Sequence, residues 1–100
     1  MIVRALADSG ATLSVFRPEI GGALGIAMKR GIPITLEGIG GRILGYRHTL
    51  SAAIAEYRFS LPVVFSYELR VSLNILGRAG FFEEFRIVFN ERARRVVVER

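Results

Sequence analysis

Short apolar runs separated by turn residues are the feature that most constrains how this chain can fold. Some runs alternate apolar and polar residues, as TLSVF does at 12–16, and others are β-branched, as RVVVE is at 95–99. Runs of both kinds are typical of β-strands when turn signals follow at short intervals. Since the chain has 100 residues and contains no linker or repeat, the sequence predicts one domain, residues 1–100, of the all-β class.

The predicted elements alternate closely along the chain. Strands are expected at 2–7, 12–16 and 69–77, on both sides of GIGG within 32–48, and as a strand, turn and strand over 49–66. RIVF and RVVVE are expected to close the fold as a hairpin, and Pro62 should stand at an edge or at a strand start. Two short helices are predicted, over 17–28 and 78–85. This pattern favours a small closed barrel with one or two short helices.

Apolar residues are too abundant for a small domain that stands alone. They make up 51% of the chain, whereas a domain of this size buries only part of its surface. No run reaches the roughly 18 to 20 apolar residues of a membrane-spanning helix, so no membrane segment is expected. The opening MIVRALADSG lacks a basic region followed by an apolar run, so we expect no signal peptide and a cytoplasmic location. A subunit interface accounts best for the apolar excess.

The net charge of +5 raises the possibility of nucleic-acid binding. All but one of the 14 basic residues are arginine, and they are distributed over the whole chain. Only RARR at 92–95 is clustered, and that cluster is interpreted as solvated. A nucleic-acid-binding β-barrel therefore stays an alternative, but no basic strand carries the interleaved aromatic residues that base stacking requires. No nucleic-acid partner is expected.

Several chemistries are excluded or disfavoured by residue type and spacing. The chain has no cysteine, and His48 is its only histidine, so neither a metal site nor a cofactor is expected. His48 is interpreted as an ordinary polar strand residue. The nucleophile elbow Gly-x-Ser-x-Gly and the phosphate-binding loop are both absent. Glu83 and Glu84 are adjacent, so they lie about 100° apart around a helix and cannot face each other as an acid–base pair.

Asp8 occupies an unusual position, between a short apolar strand and the sequence Ser9-Gly10. It is also the only aspartate in the chain. By itself, Asp-Ser-Gly is a common turn in which the side chains satisfy local hydrogen bonds. Gly10 has no side chain, so the backbone of a ligand could approach closely there.

Three motifs in order change this interpretation. LADSGAT at 6–12 matches a catalytic Asp-Ser/Thr-Gly-Ala motif, and GIGGRI at 38–43 matches a glycine-rich flap tip. NILGR at 74–78, followed by AGFFEEF, matches an apolar-apolar-Gly-Arg segment and its helix. Together they resemble the retropepsins, the single-domain aspartic proteases of retroviruses and their cellular relatives. The C-terminal FRIVFNERARRVVVE is most similar to microbial members.

The resemblance implies an aspartic endopeptidase that works as a homodimer, with Asp8 of each chain forming one half of a catalytic dyad. It also implies peptide or protein substrates. Ser9 is expected to hydrogen-bond across the two-fold axis, and Gly10, the last residue of the catalytic Asp-Ser-Gly, to line the substrate backbone. The implied substrate-binding residues are Ala11, Thr12, Gly38, Ile39, Gly40, Gly41, Leu73 and Ile75, and Gly77 and Arg78 are implied to be structural.

The chain departs from the family pattern at two places. Thr12 stands where retroviral members carry an acid that pairs with the arginine of the Gly-Arg segment, so Arg78 is expected to have another acceptor. Seven residues precede Asp8, whereas the family pattern has a further strand or strand pair before the catalytic loop. An alternative from another class is therefore a non-catalytic peptide-binding or dimerisation module with the same fold.

Overall fold

The computed structural model describes residues 2–38, 41–69, 74–83, 86–90 and 95–99, and for the last two ranges the backbone alone. Strands predominate, and the all-β prediction is confirmed. The strands are β1 (Ala5–Ala7), β2 (Ser14–Phe16), β3 (Ile32–Gly38), β4 (Gly41–Ile54), β5 (Tyr57–Phe65), β6 (Asn74–Leu76), β7 (Arg86–Asn90) and β8 (Arg95–Glu99). Helical segments are short: α1 (Pro18–Ala23), a 3₁₀ turn (Met28–Arg30) and a wide turn (Arg78–Phe82).

Six strands form one sheet in the order β1-β6-β2-β5-β4-β3. β6 lies between β1 and β2, parallel to β1 and antiparallel to β2, although it follows them by some sixty residues in the chain. β2 runs parallel to β5, and β3, β4 and β5 form an antiparallel meander. The loop from β1 to β2 therefore crosses the end of the β6 strand that separates them.

The closed barrel that the sequence predicted is wrong. β1 and β3 are the outer strands of the sheet and do not pair with each other within the described residues. Closure needs a continuous ladder whose last strand bonds to its first. The predicted C-terminal hairpin is confirmed, but β7 and β8 pair only with each other in the part of the chain that the structure describes. The architecture is an open sheet with a separate hairpin.

The core lies where β5 crosses the middle of the sheet. Val63, Val64 and Phe65 are fully buried because β5 has a strand on each side and packed residues on each face there. Phe16 packs edge-on against Phe65, with ring centroids 6.4 Å apart. Met28, Leu61 and Phe81 complete the buried cluster.

Pro62 and His48 both fit their predicted surroundings. β2 joins β5 only from Val63 onward, so Pro62 lies where β5 has a strand partner on one side only. A residue without a backbone N–H is tolerated there. His48 lies on β4, where its Nε2 is 2.8 Å from the carbonyl oxygen of Met28 and its ring packs edge-on against Phe65.

The second predicted helix is shortened to the irregular helical turn Arg78–Phe82. Gly80 has φ +76°, a left-handed conformation that favours glycine, and Ala79 has an extended ψ of 123°. A side chain at Gly80 would also collide with the ring of Pro62. The described part of 78–85 is therefore one irregular turn packed on β5, and residues 84 and 85 lie outside the described residues.

Four other segments are shorter than predicted. Of strand 2–7 only β1 is a strand, and strand 12–16 is reduced to β2 because residues 12 and 13 belong to the loop that carries Asp8. The predicted helix over 17–28 ends at Ala23, and Gly25 with φ +73° follows its C-terminus. Of the predicted strand 69–77, β6 covers Asn74–Leu76, and residues 70–73 lie outside the described residues.

Candidate active site

The Asp8 loop, residues 8–13, continues directly from β1. The Asp8 N–H donates to the Leu76 carbonyl at 2.9 Å, which extends the pairing of β1 with β6 by one residue. The Asp8 carboxylate folds back over the loop, where Oδ1 accepts the Gly10 N–H at 2.9 Å. The Asp8 carbonyl accepts the Ala11 N–H at 3.1 Å. These bonds hold a half-buried carboxylate in one orientation at the start of the loop.

Gly10 suits this turn because it has no side chain. A Cβ at this position would stand 3.2 Å from Asp8 Oδ1, tighter than an ordinary van der Waals contact. Ser9 is exposed at the tip of the loop, as is Gly10. A single chain therefore presents one aspartate carboxylate and one serine hydroxyl at the same loop.

A second layer of hydrogen bonds fastens the Asp8 loop to the segment that follows β6. The Arg78 N–H donates to the Ala11 carbonyl and the Ala79 N–H to the Thr12 carbonyl, both at 2.9 Å. The Gly77 N–H donates to the buried Ser14 Oγ at 3.0 Å. Since these bonds join positions more than sixty residues apart, the loop is positioned by tertiary structure as well as by its own turn.

Gly77 and Arg78, the two residues predicted to be structural, lie at this junction. A side chain at Gly77 would collide with the carbonyl of Leu13, so the two backbones can approach only because the residue is glycine. Arg78 contributes its backbone N–H, and its side chain is exposed. Within the described ranges, no carboxylate forms an ion pair with the Arg78 guanidinium.

A cleft of about 350 Å³ separates the Asp8 loop from β3. It begins at Gly10, two residues beyond Asp8, and its walls are mainly apolar. The lining residues are Gly10, Ala11, Thr12, Leu13, Val15, Ile34, Thr35, Leu36 and Glu37. The cleft brings two of the sequence motifs together, because β3 leads into the glycine-rich hairpin tip.

The other predicted binding residues that the structure describes, Gly38, Gly41 and Ile75, do not line this cleft. Gly38 and Gly41 pair with each other at the end of the β3–β4 hairpin, and Gly41 has φ +106°, which favours glycine. Ile75 lies in the middle of β6, opposite Leu6 of β1 and Val15 of β2, and it does not line the cleft. Ile39, Gly40 and Leu73 lie outside the described residues.

A larger cleft of about 390 Å³ contains no residue of the Asp8 loop. Its walls include Val3, Ile20, Leu50, Phe59 and Phe81, so it is an apolar groove beside the core. It lacks the carboxylate that hydrolytic chemistry would need. We therefore assign the candidate site to the smaller cleft beside Asp8.

Sequence reasoning missed two buried polar residues that position the Asp8 loop. Ser14 is fully buried and accepts the Gly77 N–H, and Asn74 bonds the backbones on both sides of β6. Each begins a short apolar strand, SVF or NIL. A polar residue at the start of an apolar strand was the available signal, but only burial shows that it has a partner to satisfy.

Comparison with known proteins finds no protein-family model and no curated protein that matches the chain. The resemblance to retropepsins therefore depends on the three sequence motifs alone. None of the helices in the described ranges is long and apolar enough to cross a membrane. Across those same ranges, no three histidine, aspartate or glutamate side chains are grouped so that they could hold a metal ion.

Proposed function

We propose that this chain is one subunit of a homodimeric aspartic endopeptidase of the retropepsin type. The observation that carries the proposal is the cleft of about 350 Å³ between the Asp8 loop and β3. The Asp8 loop, which carries an oriented, half-exposed carboxylate, forms one wall of that cleft, and β3 of the glycine-tipped hairpin forms the opposite wall. A hydrolase that closes over an extended peptide needs both features.

The dyad would form when two subunits place their Asp8 loops against each other across a two-fold axis. Two carboxylates about 3 Å apart cannot both ionise at low cost, so they share one proton, and aspartic proteases are the established example of this effect. The Gly10 N–H bond to Oδ1 supports this role, because it holds the carboxylate in a defined orientation before the partner arrives.

The reaction needs only water and this pair of carboxyl groups. The ionised Asp8 takes a proton from a bridging water as the water oxygen bonds to the scissile carbonyl carbon. The protonated Asp8 of the partner subunit gives its proton to the carbonyl oxygen, which yields a tetrahedral diol. Transfer of a proton to the amide nitrogen and cleavage of the C–N bond then release an amine and a carboxylic acid.

The shape of the cleft favours an extended peptide substrate. β3 is an outer strand of the sheet, and a peptide lying along the cleft could pair with it as an added strand. Leu13, Val15, Ile34 and Leu36 form an apolar wall, so a substrate side chain that enters the cleft should itself be apolar.

The decisive experiment is the Asp8→Asn variant assayed on a mixed peptide library. The amide keeps the size of the side chain but cannot act as the base, so cleavage should fall by at least about 10²-fold. Glu56→Gln is the matched control, because it makes the same chemical change in an exposed turn. Circular dichroism should show both variants folded. Substantial turnover by a pure, folded Asp8→Asn sample would contradict the proposal.

Mixing the subunits tests whether the site is shared. An excess of Asp8→Asn chains should suppress the wild-type rate, because most wild-type chains would then pair with an inactive partner. The same excess of Glu56→Gln chains should not suppress it. A rate that stays proportional to the wild-type chains under the first mixture would contradict a dyad built from two chains.

One observation favours a second candidate, a non-catalytic peptide-binding module. The lining of the cleft begins at Gly10 and does not include Asp8 itself. If the chain is such a binding module, the wild type and Asp8→Asn should bind the same peptides with equal affinity, and neither should cleave them. Fluorescence anisotropy with labelled apolar peptides from the library separates this outcome from catalysis.

A further inference from the structure

The part of the β3–β4 hairpin that faces the cleft extends beyond the sheet. β4 pairs with β5 from Tyr46 onward, and β5 ends at the Phe65 partner of Tyr46. Above that point β3 and β4 pair only with each other within the part of the chain that the structure describes. We call residues 35–38 and 41–44 the hairpin arm. Two strands without further support are marginally stable in water. Contacts at the root of the arm, where it joins the sheet at Leu44, must therefore control how the arm is oriented.

Two side chains take the place of the missing strand at the root of the arm. Ser66 Oγ donates to the Leu44 carbonyl at 2.5 Å, and the Leu44 N–H is 3.2 and 3.3 Å from the two carboxylate oxygens of Glu68. Both backbone groups of Leu44 thus bond toward the side on which β5 has ended. The Glu68 backbone N–H also donates to Ser66 Oγ at 3.1 Å, which ties the backbone of Glu68 to the Ser66 side chain.

Gly45, the next residue along β4, marks where rigid pairing begins. It is buried, and a side chain there would collide with Val64 and would stand 3.1 Å from the Phe65 carbonyl. β4 is therefore packed tightly on β5 at Gly45, whereas at Leu44 the bonds on that side, among the described residues, come from the side chains of Ser66 and Glu68. The close packing of β4 on β5 therefore ends between these two residues.

We propose that Ser66 and Glu68 are positioning residues that set the angle of the hairpin arm over the cleft between the Asp8 loop and β3. Thr35, Leu36 and Glu37 belong to the arm and also line the cleft, so a change of angle changes its width. The carboxylate of Glu68 accepts a charge-assisted bond, which is stronger than a neutral one. The consequence for catalysis depends on the proposed protease function, whereas the effect on the arm does not.

Amide hydrogen exchange measured by NMR on the full chain tests the arm directly. In Glu68→Ala the Leu44 amide and the other amides of 35–38 and 41–44 should exchange about threefold to tenfold faster, as expected for loss of one exposed bond to a charged group. Glu68→Gln keeps an acceptor oxygen without the charge and should fall between Glu68→Ala and the wild type. Ser66→Ala should raise the same rates.

Glu37→Ala is the matched control within the arm. It removes an exposed glutamate that forms an ion pair with Arg42 at 3.0 Å but does not touch the root. Its exchange rates at Leu44 should equal those of the wild type. The proposal is overturned if Glu68→Ala and Ser66→Ala leave the arm amides unchanged, or if Glu37→Ala accelerates Leu44 as much as Glu68→Ala does.

Kinetics then separate positioning from general stability. Glu68→Ala should raise KM for a cleaved peptide severalfold and leave kcat within about twofold, because the arm contributes binding rather than chemistry. Glu68→Gln should restore part of the loss. Faster arm exchange in a protein that cleaves nothing would support the positioning role and count against the protease. Cleavage together with unchanged exchange would count against the positioning role and support the protease.

Discussion

Asn74 offers the sharpest test of how the Asp8 loop is held. Asn74 is 8% exposed, and its side-chain amide bonds two backbone groups that lie in different segments of the chain. Nδ2 donates to the Arg4 carbonyl at 2.9 Å, and Oδ1 accepts the Arg17 N–H at 2.8 Å. One amide thus joins the segment that enters the Asp8 loop to the segment that leaves it through β2. Asn74→Ala should loosen both.

The expected magnitude follows from the two groups that lose their partner. A buried backbone group left unsatisfied costs about 1–3 kcal/mol. Both bonds are only partly buried, so water can replace some of the loss, and we take about 1.5 kcal/mol for each. The free energy of unfolding should therefore fall by about 3 kcal/mol. For a domain of this size, that lowers the melting temperature by roughly 12–24 °C.

Urea denaturation followed by circular dichroism measures this change at one fixed protein concentration, since association would also contribute to stability. Ser60→Ala, an exposed truncation on β5, is the control and should change stability by less than about 0.5 kcal/mol. A loss below about 1 kcal/mol in Asn74→Ala would refute the reasoning, because it would mean that neither backbone group depends on the amide.

Two further predictions concern the site itself. Gly77→Ala should destabilise the protein by about 1–3 kcal/mol in the same urea assay, because the new methyl group would press on the Leu13 carbonyl, whereas Gly22→Ala, which has open space, should not. The rate of peptide cleavage should follow a bell-shaped pH profile with its maximum at acidic to mildly acidic pH, because a dyad works only when one of its two carboxyl groups is protonated. A rate that keeps rising into the alkaline range would indicate a different mechanism.

Local sequence patterns predicted the hairpins well. GIGG between two strand-like runs predicts a turn, and β3 and β4 pair in register up to Gly38 and Gly41. The C-terminal hairpin was predicted in the same way. Hairpins can be predicted from sequence because the turn and both strands lie within one short stretch. The residues that decide the structure are therefore neighbours in the chain.

The candidate site was only partly predictable. Asp8 and the hairpin glycines stand out by type and spacing, and the cleft places the Asp8 loop opposite the strand that leads to them. The helix expected at 78–85 is confirmed only as the short, irregular helical segment Arg78–Phe82, because the segment packs on β5, where Gly80 adopts a left-handed conformation against Pro62. No local sequence pattern predicts the contact between Gly80 and Pro62, because Pro62 lies about twenty residues earlier in the chain.

The sequence by itself determined the strand-rich class, the hairpin turns and the presence of one aspartate in a tight loop, because propensity and turn chemistry act between neighbours. Only the tertiary structure decided that β6 enters between β1 and β2, that the sheet stays open, and that Asn74 and Ser14 hold the Asp8 loop. It also decided that Ser66 and Glu68 take over from β5 at Leu44. These features depend on which buried polar groups meet across long separations, and a buried group must find a partner wherever the chain supplies one.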